Sequence, residues 1–393
     1  MGALWGGSLW IGLVALLPMA VYLAVWRWPN RQVWSPRVVP ADLFRLLTGV
    51  LFAGAIHPSL GLLAGLSAFW WAAFAMDQSD ENQTKFYRYG TPRLAGGTLW
   101  PLVAMGIWLG LQVPSWAFQG ALWAVLAVGV IQVAMGVGQR WGSRWVLATN
   151  RAGQVHGTLG HRTGYGIYLA MLTPLALGLV PWPWNWLLVM MYGVGIVLSD
   201  SMVAALAVMA GILWMAPALW SVSLAFVVLG GLYRFGPNAW QRWRTPLQDR
   251  DWRPGHWGRW YVLTGIVKPW RGRLAVWQAT LPRCRQWPQW LIGHGAGAFQ
   301  MDARRWMSRE GLREVYAEAH NDYLEGFYEY GALGALAVGF WLWTVWPSFT
   351  AGSQFVGILV TAGMAMTLNF PLRVAPTATL VLLAAIALMR GGA

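Results

Sequence analysis

His320 and Asn321 open the stretch of this chain whose residue types and spacing best suit chemistry. Nine residues separate them from a Gly-x-x-Gly pair, Gly331 and Gly334, across an apolar run that also carries Glu325 and Glu329. An imidazole has an ordinary pKa of about 6.5 and can take a proton from a hydroxyl at neutral pH. At the polar end of an apolar helix the same ring can equally act as a cap and nothing more. Residue type alone leaves the two roles balanced.

Spacing adds a geometric expectation. If a helix starts near His320, Gly331 falls three turns on, rotated by about 20°, and Gly334 lies about 40° to the other side. Both glycines then share the face of His320, where small residues let a neighbouring backbone approach closely. Phe327 continues that face. Glu325 and Glu329 point largely elsewhere, as structural groups or partners for arginines.

Other groupings suit anions. Arg271-Gly272-Arg273-Leu274-Ala275-Val276-Trp277 sets two arginines and a tryptophan at the start of an amphipathic helix, expected over 272–279 and stopped near Pro282. Guanidinium forks and helix N-terminal amides both bind phosphate or diphosphate; interface anchoring is the plainer reading. Gly157-Thr158-Leu159-Gly160-His161-Arg162-Thr163-Gly164 leads into an apolar run, with Arg151 and Arg162 on its flanks. It fits an anion cradle or a simple re-entrant turn. Gly293-His294-Gly295-Ala296-Gly297-Ala298-Phe299 follows no strand and is no dinucleotide fingerprint. Asp249-Arg250-Asp251 looks like the acidic pair of metal-dependent sugar transferases but is too short to weigh much. The single cysteine, Cys284, allows no internal disulfide and no Cys-based metal centre. The histidines are scattered; His156 and His161 in a glycine-rich loop are a weak metal pair, and no metal or cofactor is expected.

The elements that must position these groups are membrane helices. The 393 residues are 57% hydrophobic and 11% charged, with a mean hydropathy of +0.44; a soluble chain carries roughly 25% charged residues. Several apolar runs are long enough to cross a bilayer. Twelve spans are expected, over 5–25, 41–57, 59–76, 97–113, 117–136, 164–180, 184–199, 201–215, 217–233, 323–347, 352–370 and 376–389. The first meets Arg27 directly and lacks a basic leader, so it reads as a retained helix. Trp and Tyr crowd the span ends, as amphipathic rings do at headgroup level. The fold class is therefore an all-α polytopic membrane protein in three parts: an N-terminal bundle over 1–233, a long loop over 234–322 and C-terminal spans over 323–393. The loop holds fifteen Lys/Arg and ten Trp, which fits short amphipathic helices lying at the interface.

Topology poses a conflict. The loops 27–40, 77–96, 138–163 and 234–322 all fall on one side, and that side holds most of a net charge of +14. The positive-inside rule makes it cytoplasmic, though the rule weakens for long loops. Alternatively these arginines serve an anionic substrate outside. Composition leaves both open.

The His-Asn-x9-Gly-x-x-Gly pattern at 320–334 resembles the signature of the O-antigen ligase and O-antigen polymerase superfamily. Its flanks, Ala319 to Leu324 and Glu329 to Gly334, are similar to family sequence. So are Gly272-Arg273 followed by Trp277, the turn at 293–299, and Gly157 to Gly160 leading into a span. The resemblance covers roughly 157–345. It implies about twelve helices of a GT-C-like fold, cytoplasmic termini and a periplasmic long loop in a bacterial inner membrane. It also implies a metal-independent, inverting glycosyltransferase of lipopolysaccharide biosynthesis. The donor would be a glycan on undecaprenyl pyrophosphate, and the acceptor lipid A-core, another glycan or a protein hydroxyl; no nucleic acid is implied. By position, His320 would orient or deprotonate the acceptor hydroxyl, and Arg273 would bind the pyrophosphate and stabilise its leaving charge. Arg271, Asn321 and Tyr323 join them as substrate-binding residues.

One departure stands out. The family usually has a Ser-Arg-Gly-like start to the helix that here follows Ser201, whereas this chain reads Ser199-Asp200-Ser201-Met202. Arg162 and Arg151 are the substitute candidates for a second phosphate-binding arginine. Within the superfamily, ligase, Wzy-type polymerase and protein O-oligosaccharyltransferase are all open. From another class, a transporter or flippase for a lipid-linked sugar would share the arginines, with Asp200 as its main buried-charge candidate.

Overall fold

The computed structural model describes residues 49–76, 99–141, 155–159, 161–217, 267–295, 297–300, 302–303, 319–350, 353–369 and 371–391. The expected span at 5–25, the span at 217–233 beyond its first residue, the Asp249-Arg250-Asp251 triplet and the loop up to residue 266 lie outside them. Among the described residues every regular element is helical. In chain order these are α1 (Pro58–Met76), α2 (Leu99–Gln112), α3 (Ser115–Arg140), α4 (Arg162–Leu179), α5 (Trp184–Ser199), α6 (Met202–Met215) and α7 (Val267–Cys284). Then follow α8 (Gln289–Ile292), α9 (Asp322–Val345), α10 (Gln354–Met366) and α11 (Ala375–Met389). Short 3-10 turns lie at Trp346–Ser348 and Pro371–Arg373.

The chain divides into two compact units. One takes Met1–Val113, Thr280–Glu318 and Tyr323–Pro347; the other takes Pro114–Ala279, Ala319–Asp322 and Ser348–Ala393. In the first, α1 packs on α2. Leu63, Leu66, Tyr330 and Ala337 form a buried cluster there, edged by Trp100, Ile292 and Leu333.

The second unit is built around α4, which packs against α5, α6 and α10. Tyr165, Ile167, Leu169, Met171, Leu172 and Leu175 are all fully buried along it. Glycines set the crossing distances: a Cβ at Gly195 would strike Leu169, and one at Gly211 would strike Thr361 and Pro174. Close approach through small residues is how helices associate where no hydrophobic force drives them together. The ends are capped by side chains, His161 Nδ1 accepting from Gly164 N on α4 and Ser201 Oγ from Ala204 N on α6.

One helix among the described residues, α3, is long and apolar enough to cross a membrane, with a mean hydropathy of 2.0. It is not the buried core of a globule: Trp116, Trp123, Val128 and Ile131 lie exposed along it. α5, α6, α10 and α11 are apolar but shorter.

One local expectation is corrected and another is met by a longer helix. The helix after His320 begins at Asp322 and is interrupted at Gly331 (φ 63°, ψ −161°). His320 itself is in the left-handed region at φ 53°. A rotation of 100° per residue therefore does not carry from His320 to Gly331 and Gly334, and the three share no smooth helical face. The helix expected over 272–279 is present as part of α7, which starts earlier, at Val267, and ends two residues past Pro282, at Cys284. Pro269 sits in the first turn, where its N–H would have no helical partner, and Pro282 sits in the last, where it removes one bond just before the helix ends.

Candidate functional site

His320 lies in the second unit, on the short segment 319–322 that connects to α9. Three neighbours hold this segment. The indole Nε1 of Trp277, on α7, donates to the Ala319 carbonyl at 2.7 Å. The backbone N–H of Asp322 donates to the Asn369 carbonyl at 3.3 Å. The Asp322 carboxylate accepts from Leu372 N at 3.0 Å, at the start of a 3-10 turn. Between these anchors the backbone of His320 is left-handed, which costs a non-glycine residue free energy and persists only where the surroundings impose it.

Burial and three groups set the electrostatics of the ring. Burial pushes the His320 pKa down to about 4, and the Arg273 guanidinium pushes the same way. A hydrogen bond with the Asn369 side chain opposes them, and His161 adds a smaller downward push. The imidazole is thus neutral at pH 7. The segment 319–322, α7, the start of α4 and the turn after α10 converge on one place. It combines a neutral base, a fixed cation and an amide.

The start of α4 is built with equal care. Gln139 on α3 accepts from the N–H groups of His156 and Gly157, both at 3.0 Å, and donates to the Gly157 carbonyl at 2.8 Å. Gln132, seven residues earlier, accepts from Thr158 N at 2.9 Å and donates to Thr158 Oγ1 at 2.5 Å. Two amides on one face of an apolar helix thereby clamp the glycine-rich loop that ends in His161. His156 is buried beside this clamp and His161 is exposed.

The expected site residues are placed as follows. His320 and Arg273 are brought within electrostatic reach of each other. Arg162 sits at the N-terminus of α4 and pairs with Asp200 at 3.2 Å. Each is at the unfavourable end of its helix for its charge, Asp200 being the C-cap of α5, so the pair offsets two dipole penalties. Met202, where a family arginine would be expected, is exposed. Asn321 is half-buried next to His320, and Tyr323 is exposed. The Arg271 side chain and the whole of Arg151 lie outside the described residues.

Gly331 and Gly334 belong to the first unit and serve another purpose. The break at Gly331 turns the carbonyls of Tyr328 and Glu329 to the glycine-rich turn, where His294 N and Gly295 N donate to them at 2.9 Å each. A Cβ at Gly331 would lie 2.5 Å from Gly293 N and from Leu291 C and O. A Cβ at Gly334 would strike Tyr330. His294 stacks on the Tyr328 ring at 4.0 Å, and its Nδ1–H donates to the Tyr328 carbonyl at 3.1 Å. The Tyr328 hydroxyl donates to Asp302 at 3.0 Å.

Three residues were missed by sequence reasoning: Asn369, Gln132 and Gln139. The glutamines carried a signal, since two amides seven residues apart in an otherwise apolar helix are costly unless bonded. Asn369 carried none beyond its place at the end of an apolar run.

No protein-family model, curated protein or solved structure matches this chain.

Proposed function

We propose that the chain is a polytopic inner-membrane glycosyltransferase of the O-antigen ligase type. It moves a glycan from undecaprenyl pyrophosphate to a hydroxyl acceptor, with lipid A-core as the acceptor. The observation that carries the reading is the convergence of His320 and Arg273, with His320 locked in a left-handed backbone and bonded to Asn369. A neutral imidazole can accept the acceptor's proton while a guanidinium takes the charge of the leaving diphosphate.

In this mechanism the acceptor oxygen attacks the anomeric carbon from the face opposite the diphosphate. The bond to the diphosphate oxygen breaks with inversion, the hydroxyl proton passes to His320, and Arg273 holds the departing lipid diphosphate, which carries one negative charge more than the bound donor. Donor binding tunes the base. Arg273 lowers the proton affinity of the empty His320, and a dianion seated on Arg273 offsets that repulsion, so the ring becomes a better base once the donor is in place.

The membrane part of the reading has about twelve crossings, GT-C-like, with the 234–322 loop periplasmic. It is supported by the length and exposure of α3 and by the apolar helices α5, α6, α10 and α11. An outer site for an anionic donor accounts for arginines placed against the charge rule. For the transporter reading Asp200 is the main candidate, and its ion pair with Arg162 at two helix ends is an equally good account of that carboxylate.

The test is transfer from undecaprenyl-pyrophosphate-linked glycan by the purified chain. His320→Ala and Arg273→Ala should each abolish transfer while the protein stays in the membrane. Normal transfer by His320→Ala would sink the catalytic assignment. A reporter fused after Arg244 that scores cytoplasmic would sink the topology.

A further inference from the structure

We propose that the corner between α7 and α8, residues 285–290, is a foot that seats in a headgroup layer of anionic phospholipid. This rests on the membrane part of the reading above and adds a lipid partner to it.

α9 sets the depth. Before Gly331 it carries Glu325 and Glu329; from Ala332 to Val345 it carries no charged residue. The helix breaks at Gly331, between the two parts. Leu336, Val338, Phe340, Leu342 and Trp343 are exposed along the charge-free part, the kind of surface a helix turns to hydrocarbon. Gly331 therefore stands at the polar edge of an apolar stretch.

α8 is held at that edge. A Cβ on Gly331 would lie 2.5 Å from the Leu291 carbonyl and from Gly293 N. Ile292 packs on the cluster of Leu63, Leu66, Tyr330 and Ala337. The corner itself is tied by backbone bonds, from Arg285 N to the Pro282 carbonyl at 3.2 Å and from Trp290 N to the Gln286 carbonyl at 2.7 Å. A surface braced in this way loses little freedom on binding.

Its side chains suit an interface. Trp287 is 70% exposed and Trp290 40%, with ring centroids 6.0 Å apart. Indoles are favoured at headgroup level, where the ring is apolar and its N–H stays wet. Arg285 is exposed two residues before Trp287, and its stem can lie along the layer while its charge meets the headgroups.

Charge selects the occupant. From Trp252 to Met301 the sequence has seven Lys or Arg and no Asp or Glu, and Glu325 and Glu329 on α9 are buried. A second copy docking by the same face would set arginine against arginine. Anionic headgroups supply the opposite charge, at about five-fold in occupancy for each arginine near the surface.

The experiment uses the full chain with Gln286→Cys, spin-labelled and reconstituted in vesicles of phosphatidylcholine with or without phosphatidylglycerol. Cys284, the only native cysteine, is buried, and the chain without Gln286→Cys is the labelling blank. Collision with oxygen, which concentrates in lipid, and with a water-soluble nickel complex reports whether the label is seated. With phosphatidylglycerol the label should be shielded from nickel and open to oxygen. Arg285→Gln should lower the ratio of seated to open label about five-fold there. Trp287→Ala combined with Trp290→Ala should abolish seating, and each variant should keep the Tm of the labelled parent. A label equally open to nickel in both lipids overturns the proposal. Undiminished shielding in pure phosphatidylcholine overturns it too, since the patch is then an aromatic anchor indifferent to charge. Shielding that appears only as protein density in the vesicles rises makes the occupant a second copy and also overturns it. Alkaline carbonate separates the foot from the reading beneath it. A chain that stays with the vesicles while its label is open to nickel loses only the foot; a chain that is extracted loses the membrane reading as well.

Discussion

The indole N–H of Trp277 bonds to the carbonyl of Ala319 at 2.7 Å, so the helix that carries Arg273 also grips the residue before His320. Base and cation are thereby set on one mechanical link. Trp277→Phe keeps an aromatic ring and removes only the donor. Ala319 is fully buried, and stranding its carbonyl should cost about 1–3 kcal/mol. We expect a lower Tm and a fall in transfer of at least ten-fold, on the order of the effect of small misplacements of reacting groups. A variant with unaltered kcat would show that the link positions nothing.

His320 makes the protein sensitive to acid in a defined window. Its ordinary pKa is 6.5, and burial with Arg273 brings it to about 4 in the folded chain. Between those values the unfolded chain binds a proton that the folded chain does not. The stabilising contribution is therefore complete above about pH 6.5 and is lost as the pH falls toward 4. The groups facing the ring are Arg273, His161 and the Asn369 amide. We expect the Tm of the unaltered protein to fall more steeply between pH 6.5 and 4 than that of His320→Gln. The acid limb of kcat/KM, which reports the free enzyme, should sit well below pH 6.5. Equal Tm slopes in the two proteins would remove His320 as the sensor.

How much of this was legible beforehand differs residue by residue. His320 was readable because an imidazole at the edge of an apolar run is rare enough to notice. Arg273 was readable from its place beside Trp277, though the reason for that spacing, an indole bond to Ala319, is tertiary. Asn369 was opaque, because nothing local marks an amide that becomes a partner only when the chain returns to residue 320. The Gly331 break was misread for a physical reason. Periodicity treats a glycine within an apolar helix as a packing residue, and the same glycine can leave the helix when a backbone is waiting to take the released carbonyls. The ion pair of Arg162 was not legible, because Asp200, its partner, is distant in sequence.

The glutamine clamp should be graded. Gln139 satisfies three backbone groups of residues 156 and 157, whereas Gln132 satisfies the backbone and hydroxyl of Thr158 alone. Gln139→Leu should therefore lower the Tm more than Gln132→Leu, since each orphaned group at the buried residues 156 and 157 costs about 1–3 kcal/mol, whereas Thr158 is exposed. A reversed order would show that the loop is held by something else.

Gly331 and Gly339 lie on the same helix and should respond oppositely to alanine. At Gly331 the backbone is at φ 63° and ψ −161°, a region almost closed to side chains, and the conformation alone should cost about 1–3 kcal/mol. A Cβ there would also press on Gly293 N and on the Leu291 peptide at 2.5 Å. These are backbone atoms and cannot rotate aside, so the turn at 293–295 would have to lift off Tyr328 and Glu329. At Gly339 a Cβ meets nothing within 4 Å, and in a helix alanine is better than glycine by roughly 0.5–1 kcal/mol. Gly331→Ala should thus yield little well-folded protein and a sharply lower Tm, and Gly339→Ala a Tm equal to or above that of the unaltered chain. If Gly331→Ala is tolerated, the helix is continuous there, and the docking of the 293–295 turn on the freed carbonyls is wrong with it.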